Sequence, residues 1–331
     1  MPGLFQEEID RNNDMNTKVC LYGGDNLARY SFGHGHPFGY DRLEAFWNEA
    51  ARLKLLEHVC ICEPVKASEE ALNRFHNSDY IERVKKQSLS GEGYLDYGDT
   101  PAFKGIFEAA SFVVGTGLDA LDRLIDGRCT SAFIPIAGLH HARREGAGGF
   151  CVFNDCGIII ETLRAEYGLH RVAYVDIDAH HGDGVFYAFE DDKELFFADI
   201  HEDGRFLYPG TGAEHETGRG EAQGTKLNIP LPPSSGDEEF FRVWTWVENF
   251  LRESEPEFIL FQCGADGLAD DPITHLQYSC HVHSHAAQSL YQIAQEFSQG
   301  RILALGGGGY NRQNLAHAWS EVVKVFLDYS L

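Results

Sequence analysis

Positive charge is scarce in this sequence. Its 331 residues carry 27 Lys and Arg against 51 Asp and Glu, a formal charge of −24. Such a field repels phosphate backbones and anionic lipid headgroups and attracts cations, which argues against nucleic acid or a membrane surface as a direct partner. Long hydrophobic runs are missing too: nothing approaches the roughly 20 apolar residues of a membrane span. The first residues, MPGLFQEEIDRNND, hold neither a basic n-region nor an apolar h-region, so a cytoplasmic location is expected. There is no C-x-x-C among the eight cysteines (20, 60, 62, 129, 151, 156, 263, 280). Several of them lie inside apolar runs, which reads as reduced thiols in the core. Around the glycines at 306–309 there is no G-x-G-x-x-G and no Lys-Ser/Thr, so this run is not a nucleotide phosphate loop.

A hydrophobic content of 43% is ample for a packed core, and residues 1–331 read as a single domain with about the first 17 as a loose arm. Buried parallel strands are predicted at 131–136, 171–177, 194–200, 257–263 and 301–306, where apolar residues run without alternation. Helical periodicity marks 40–57, 103–126, 154–167, 237–253, 282–298 and 312–328, with capping-box spacing from Ser235 to Glu238. The segments 88–100 and 213–226 read as surface loops. Alternating strands and helices predict a three-layer α/β/α fold on a doubly wound, mostly parallel sheet.

Ligands of such sheets bind beyond the carboxyl ends of the strands. Each predicted strand delivers glycine plus His, Asp or Tyr to that rim: LHHARREGAGGF, DAHHGDG, HEDGRFLYPGTG, GADGLADDP and GGGGYNRQN. Side-chain alternation brings Asp176, Asp178 and His180 to one side of the extended chain. Asp178 and His180 with Asp266 form the three-ligand set of a catalytic zinc, a set that also admits Fe2+, Mn2+ or Co2+. The adjacent His140 and His141 suit proton transfer if carboxylates orient them, and Asp176 and Asp183 are left over for that task. Tyr310, after four glycines, is placed to donate to an oxyanion. His181 faces away from His180 and is expected to make a structural hydrogen bond.

These motifs, together with GHPFGYDR (35–42), GDTPAFKGIFEAA (98–110) and DIHEDGRFLYPGTG (199–212), resemble the zinc-dependent histone deacetylase family of the arginase/deacetylase superfamily. The likeness is nearest to its bacterial acetoin-utilisation branch and spans about residues 30–325. It implies zinc at Asp178, His180 and Asp266, the dyads His140–Asp176 and His141–Asp183, and a catalytic Tyr310. It further implies a substrate channel lined by Gly149, Phe150 and Tyr208, a rim aspartate at Asp99 and an arginine, Arg42, near an internal acetate cavity. A structural K+ would involve Asp176, Asp178, His180, Asp199 and Ile200, with Asp199 standing where a serine is common.

The implied activity is hydrolysis of the acetyl amide of N-acetyl-lysine in peptides or proteins, with oligomers allowed. An acetylpolyamine amidohydrolase shares the chemistry, and the net charge favours it. Ile273, apolar at the position of a gatekeeping residue, favours acyl-lysine. Further readings are a binuclear ureohydrolase and an inactive acyl-lysine binding module.

Overall fold

The computed structural model describes residues 18–33 and 35–330; the expected loose arm over the first 17 lies outside the described residues. Eight strands form one sheet: β1 Val19–Tyr22, β2 Cys60–Cys62, β3 Ser131–Ile134, β4 Val172–Asp176, β5 Leu195–Glu202, β6 Lys226–Leu231, β7 Phe258–Gln262 and β8 Ile302–Leu305. All pair in parallel, in the order β2-β1-β3-β8-β7-β4-β5-β6. The helices are α1 Asp25–Ala28, α2 Asp41–Arg52, α3 Glu69–Asn73, α4 Ser78–Ser90, α5 Ile106–Ile125, α6 Asp155–Tyr167, α7 Asp183–Ala188, α8 Asp237–Ser254, α9 His281–Phe297 and α10 Arg312–Tyr329.

Every residue of β1, β3, β4, β7 and β8 is buried, because a parallel strand covered by helices on both faces has no polar side to show. One helical layer packs α2 on α10, α10 on α9 and α9 on α8; the other joins α4, α5, α6 and α7 in succession. The result is the expected three-layer α/β/α fold. Between β3 and β4 the chain skips the positions later filled by β8 and β7. The carboxyl ends of β3, β8, β7 and β4 therefore lie side by side in the middle of the sheet, and the connection reverses there, the usual place for a ligand.

Three strands are additional to the five predicted. β1 and β2 span four and three residues, too short to stand out from background. β6 holds Pro230 and a buried Lys226 whose Nζ donates to the carbonyls of Asp192 (2.8 Å) and Leu195 (2.7 Å). Proline is tolerated because β6 is an edge strand. The expected loop at 88–100 begins inside α4, and that at 213–226 contains a 3₁₀ turn at Gly220–Ala222 before β6 opens. The cap of α8 falls one residue later than predicted: the amide of Gly236 donates to Glu239 Oε2 at 2.9 Å, while Ser235 Oγ turns back to the Pro232 carbonyl.

Candidate active site

β4 ends at Asp176, and the chain then crosses the rim as Asp178 and His180. Asp266 arrives from the end of β7. Ligand atoms of Asp178, His180 and Asp266 all lie within 4.8 Å of one another, and all three residues are buried. His180 Nδ1 stands 3.1 Å from Asp178 Oδ1 and 3.0 Å from Asp266 Oδ2. The remaining carboxylate oxygens are held from behind: Asp178 Oδ2 accepts from the Gly308 amide (2.8 Å) and from Gln262 Nε2 (2.9 Å), and Asp266 Oδ1 accepts from the Ala179 amide (2.8 Å). Two carboxylates and an imidazole turned to one point, with both carboxylates fixed by hydrogen bonds from behind, match the donors and supporting shell of a mononuclear metal site. The four-glycine run has a specific use here. A Cβ on Gly308 would collide with the carboxylates of Asp266 and Asp178, so only glycine lets the backbone amide reach Asp178.

Burial and the neighbouring charge of Asp178 push Asp266 up to about 7, although His180 opposes this. Burial works against ionisation of Asp178 as well, but the imidazoles of His140 and His180 outweigh it and hold that carboxyl low.

The histidine pair comes from the loop after β3. Asp155, at the start of α6, accepts from the amides of Gly138 (2.8 Å) and Leu139 (2.7 Å), and Asn154 Nδ2 donates to the Ala142 carbonyl (2.8 Å). The loop is pinned on both sides of the pair. His140 Nδ1 meets Asp176 Oδ2 at 2.7 Å, His141 Nδ1 meets Asp183 Oδ1 at 2.8 Å, and the two Nε2 atoms are 3.1 Å apart. Each expected dyad is thus a hydrogen-bonded pair in the geometry. The two rings differ in charge. Burial lowers the tendency of His140 to ionise, yet Asp176 and Asp178 raise it to about 10. His141 is pulled down to about 4 by burial and by the charge of His140, against the opposing pull of Asp183. The two imidazoles are thus driven in opposite directions, His140 toward holding a proton and His141 toward accepting one.

A cavity of about 240 Å³ opens above these groups, lined by His140, His141, Asp178, His180 and Tyr310, with Gly149, Phe150, Tyr208, Ile273 and the exposed Asp99 nearer its mouth. The Phe150 ring lies edge-on to Tyr310 at 5.9 Å, and Tyr208 is edge-on to His141 at 5.1 Å. Gly149 (φ +49°) is required, because a Cβ there would strike the His141 ring. Burial, with the charges of Asp266 and Asp178, holds the Tyr310 phenol well above 10, so it keeps its proton. The Tyr310 amide donates to Asp271 Oδ2 at 2.8 Å.

Arg42 does not line this cavity. It is fully buried behind Tyr310, its guanidinium 5.7 Å from that ring and 4.0 Å from Phe38, and it donates to the carbonyls of Gly309 (2.9 Å) and Gly307 (2.6 Å). Asp199 and Ile200 also lie away from it, on β5, where Asp199 pairs in register with Asp176. His181 Nδ1 contacts Thr211 Oγ1 at 2.8 Å, the structural bond expected. Sequence reasoning missed Gln262, which spans Asp178 and the Gly138 carbonyl, and Tyr174, whose hydroxyl donates to Asp176 Oδ2 at 2.5 Å. Both sit at period-2 positions facing the site from β7 and β4, a signal available from alternation alone.

The profile of the histone deacetylase domain matches residues 36–326. The chain belongs to the histone deacetylase family. Among curated relatives, the acetoin utilization protein AcuC of Bacillus subtilis (strain 168) is 36% identical over 320 residues, covering 93% of this chain and 81% of the relative. AcuC proteins of Staphylococcus aureus (strain MRSA252) and Staphylococcus xylosus are each 32% identical, covering 94% of this chain and 82% and 83% of theirs. A solved structure described as the HDA15 HD domain superposes with a TM-score of 0.87 at 24% identity over 95% of this chain and 89% of that one, a likeness of fold. Family membership supports a hydrolase of the deacetylase class. Among the described residues no helix is long and apolar enough to cross a membrane.

Proposed function

We propose that residues 1–331 form one deacetylase domain that hydrolyses the acetyl amide of N-acetyl-lysine in peptides or proteins. The observation that carries this reading is the meeting, in one cavity, of a metal-capable Asp178–His180–Asp266 cluster, two carboxylate-held histidines and a protonated tyrosine. A divalent cation held there, zinc by its donor set, would polarise the acetyl carbonyl and acidify bound water. His141, neutral and anchored on Asp183, takes a proton from the attacking water. Tyr310 donates its hydroxyl to the carbonyl oxygen as negative charge grows there. His140, held charged between Asp176 and Asp178, returns a proton to the departing amine as the C–N bond breaks, leaving acetate and the free lysine. Phe150 and Tyr208 flank the aliphatic stem of the substrate, and Asp99 accepts from its backbone amides at the rim.

Among the described residues one oxygen- and nitrogen-bearing cluster has metal-ligand geometry, which favours a single-ion deacetylase over a binuclear ureohydrolase. Potassium would have to share Asp176 and Asp199, whose carboxylate oxygens already accept from Asp178, His140, Tyr174, His201 and Gly182; no step is routed through it. The charge of −24 favours a second reading, an acetylpolyamine substrate, whereas the apolar Ile273 in the cavity wall favours acyl-lysine. Metal-reconstituted protein assayed on an acetyl-lysine peptide, N-acetylputrescine and N-acetylspermidine decides between them. Faster turnover of the peptide is expected, and preference for either polyamine overturns the substrate assignment.

A further inference from the structure

Three of the eight cysteines collect at the opposite edge of the sheet. β1 and β2 pair with Cys20 beside Cys60 and Tyr22 beside Cys62, so alternation puts all three thiols on one face. Their sulfurs lie within 4.8 Å of one another, and Cys60 and Cys62 are 3.9 Å apart. A tetrahedral ion with metal–sulfur bonds of about 2.3 Å needs sulfurs about 3.8 Å apart, close to the 3.9 Å between Cys60 and Cys62.

We propose that Cys20, Cys60 and Cys62 form a structural site for a thiophilic divalent cation, zinc in the first place. Cysteines elsewhere behave as ordinary core residues: Cys151 and Cys263 point their thiols at the carbonyls of Gly149 (3.4 Å) and Leu305 (3.1 Å). In the cluster Cys62 Sγ also reaches the Cys60 carbonyl (3.6 Å), but the thiols face one another as well, an arrangement that gains little from weak S–H donors and much from thiolate ligation. The Arg123 guanidinium acts on both Cys60 and Cys62 and is itself held by Asp119 (2.8 Å), which accepts from Tyr22 Oη (2.5 Å). Cys60 is only half-buried, which gives an ion access from solvent. Thiolates from β1 and β2, set apart from the substrate cavity, suit a structural role: the ion would fasten the three-residue edge strand β2 to β1. The cluster stands four to five strand positions from β4, roughly 20 Å at ordinary strand spacing, and is independent of the deacetylase reading.

Cobalt(II) tests this on the full chain, reduced and stripped of metal, because the Asp178 cluster contains no sulfur. A near-ultraviolet sulfur-to-cobalt charge-transfer band should grow to one ion per chain, persist in Asp178→Ala and vanish in Cys60→Ser with deacetylase activity intact. In the unaltered chain, zinc should also shield Cys60 from alkylation, a readout that needs no variant to fold. Absence of the band in fully reduced protein, its survival in Cys60→Ser, or alkylation of Cys60 unaffected by zinc would overturn the assignment.

Discussion

The sheet carries two ligand-bearing clusters, and they differ in hardness, position and sequence span. At its centre Asp178, His180 and Asp266 present oxygen and nitrogen to an open cavity. At its edge Cys20, Cys60 and Cys62 present sulfur with little exposure. An open N/O set suits chemistry on a substrate, and a sulfur set remote from the cavity suits a staple. The difference teaches where metal-like residues acquire function: at the carboxyl rim, where loops gather around a topological reversal, and not at a short edge strand.

The largest effect belongs to Asp178→Ala, which should abolish metal at the central cluster and reduce hydrolysis by more than the roughly 100-fold typical of losing a supporting residue; elemental analysis and acetate release check it together. Tyr310→Phe should lower turnover roughly 10²–10³-fold while metal content stays constant, separating the oxyanion donor from the ligands. Gln262→Ala removes the hydrogen bond behind Asp178 together with those to Gly138 and Gly264, leaves all three ligands in place, and should weaken metal affinity roughly 10–100-fold, measured by competition with a chelator.

A separate effect concerns stability below neutral pH. Burial pulls His76 down to about 3 from an ordinary 6.5, and its Nε2 accepts from the Asn154 amide at 2.9 Å, at the foot of the catalytic loop. Between these values the unfolded chain binds the extra proton, so stability is complete above about pH 6.5 and falls as pH drops toward 3. The contribution is about 1.4 kcal/mol per pH unit within that window. Urea unfolding of His76→Gln at several pH values should show a correspondingly flatter dependence.

Much of the centre was legible because its residues are close in sequence or end predicted strands. Asp178-x-His180 is a two-residue spacing on one extended segment, and His140–His141 adjoins the end of β3. Which carboxylate holds which histidine came from the family resemblance, the residues alone offering only Asp176 and Asp183 as spare carboxylates, and in the structure His140 meets Asp176 and His141 meets Asp183. Gln262 and Tyr174 escaped notice because a single buried polar side chain within an apolar strand gives no composition signal. Arg42 was placed near an internal cavity by likeness alone, and its guanidinium is buried behind Tyr310, donating to the carbonyls of Gly309 and Gly307. The edge cluster was read as core thiols because its geometry depends on the pairing of β1 with β2. Those strands of four and three residues are too short for periodicity to reveal, and only their register brings Cys20 to Cys60.

The central claim is that one metal ion at Asp178, His180 and Asp266 serves hydrolysis. Zinc titration of chelator-stripped Cys60→Ser protein, followed by acetate release from an acetyl-lysine peptide, tests it most directly. Activity should rise from zero and saturate at one ion per chain, and the same titration of Asp178→Ala should yield none. Hydrolysis by the stripped protein, or saturation only at two ions per chain, would contradict the account.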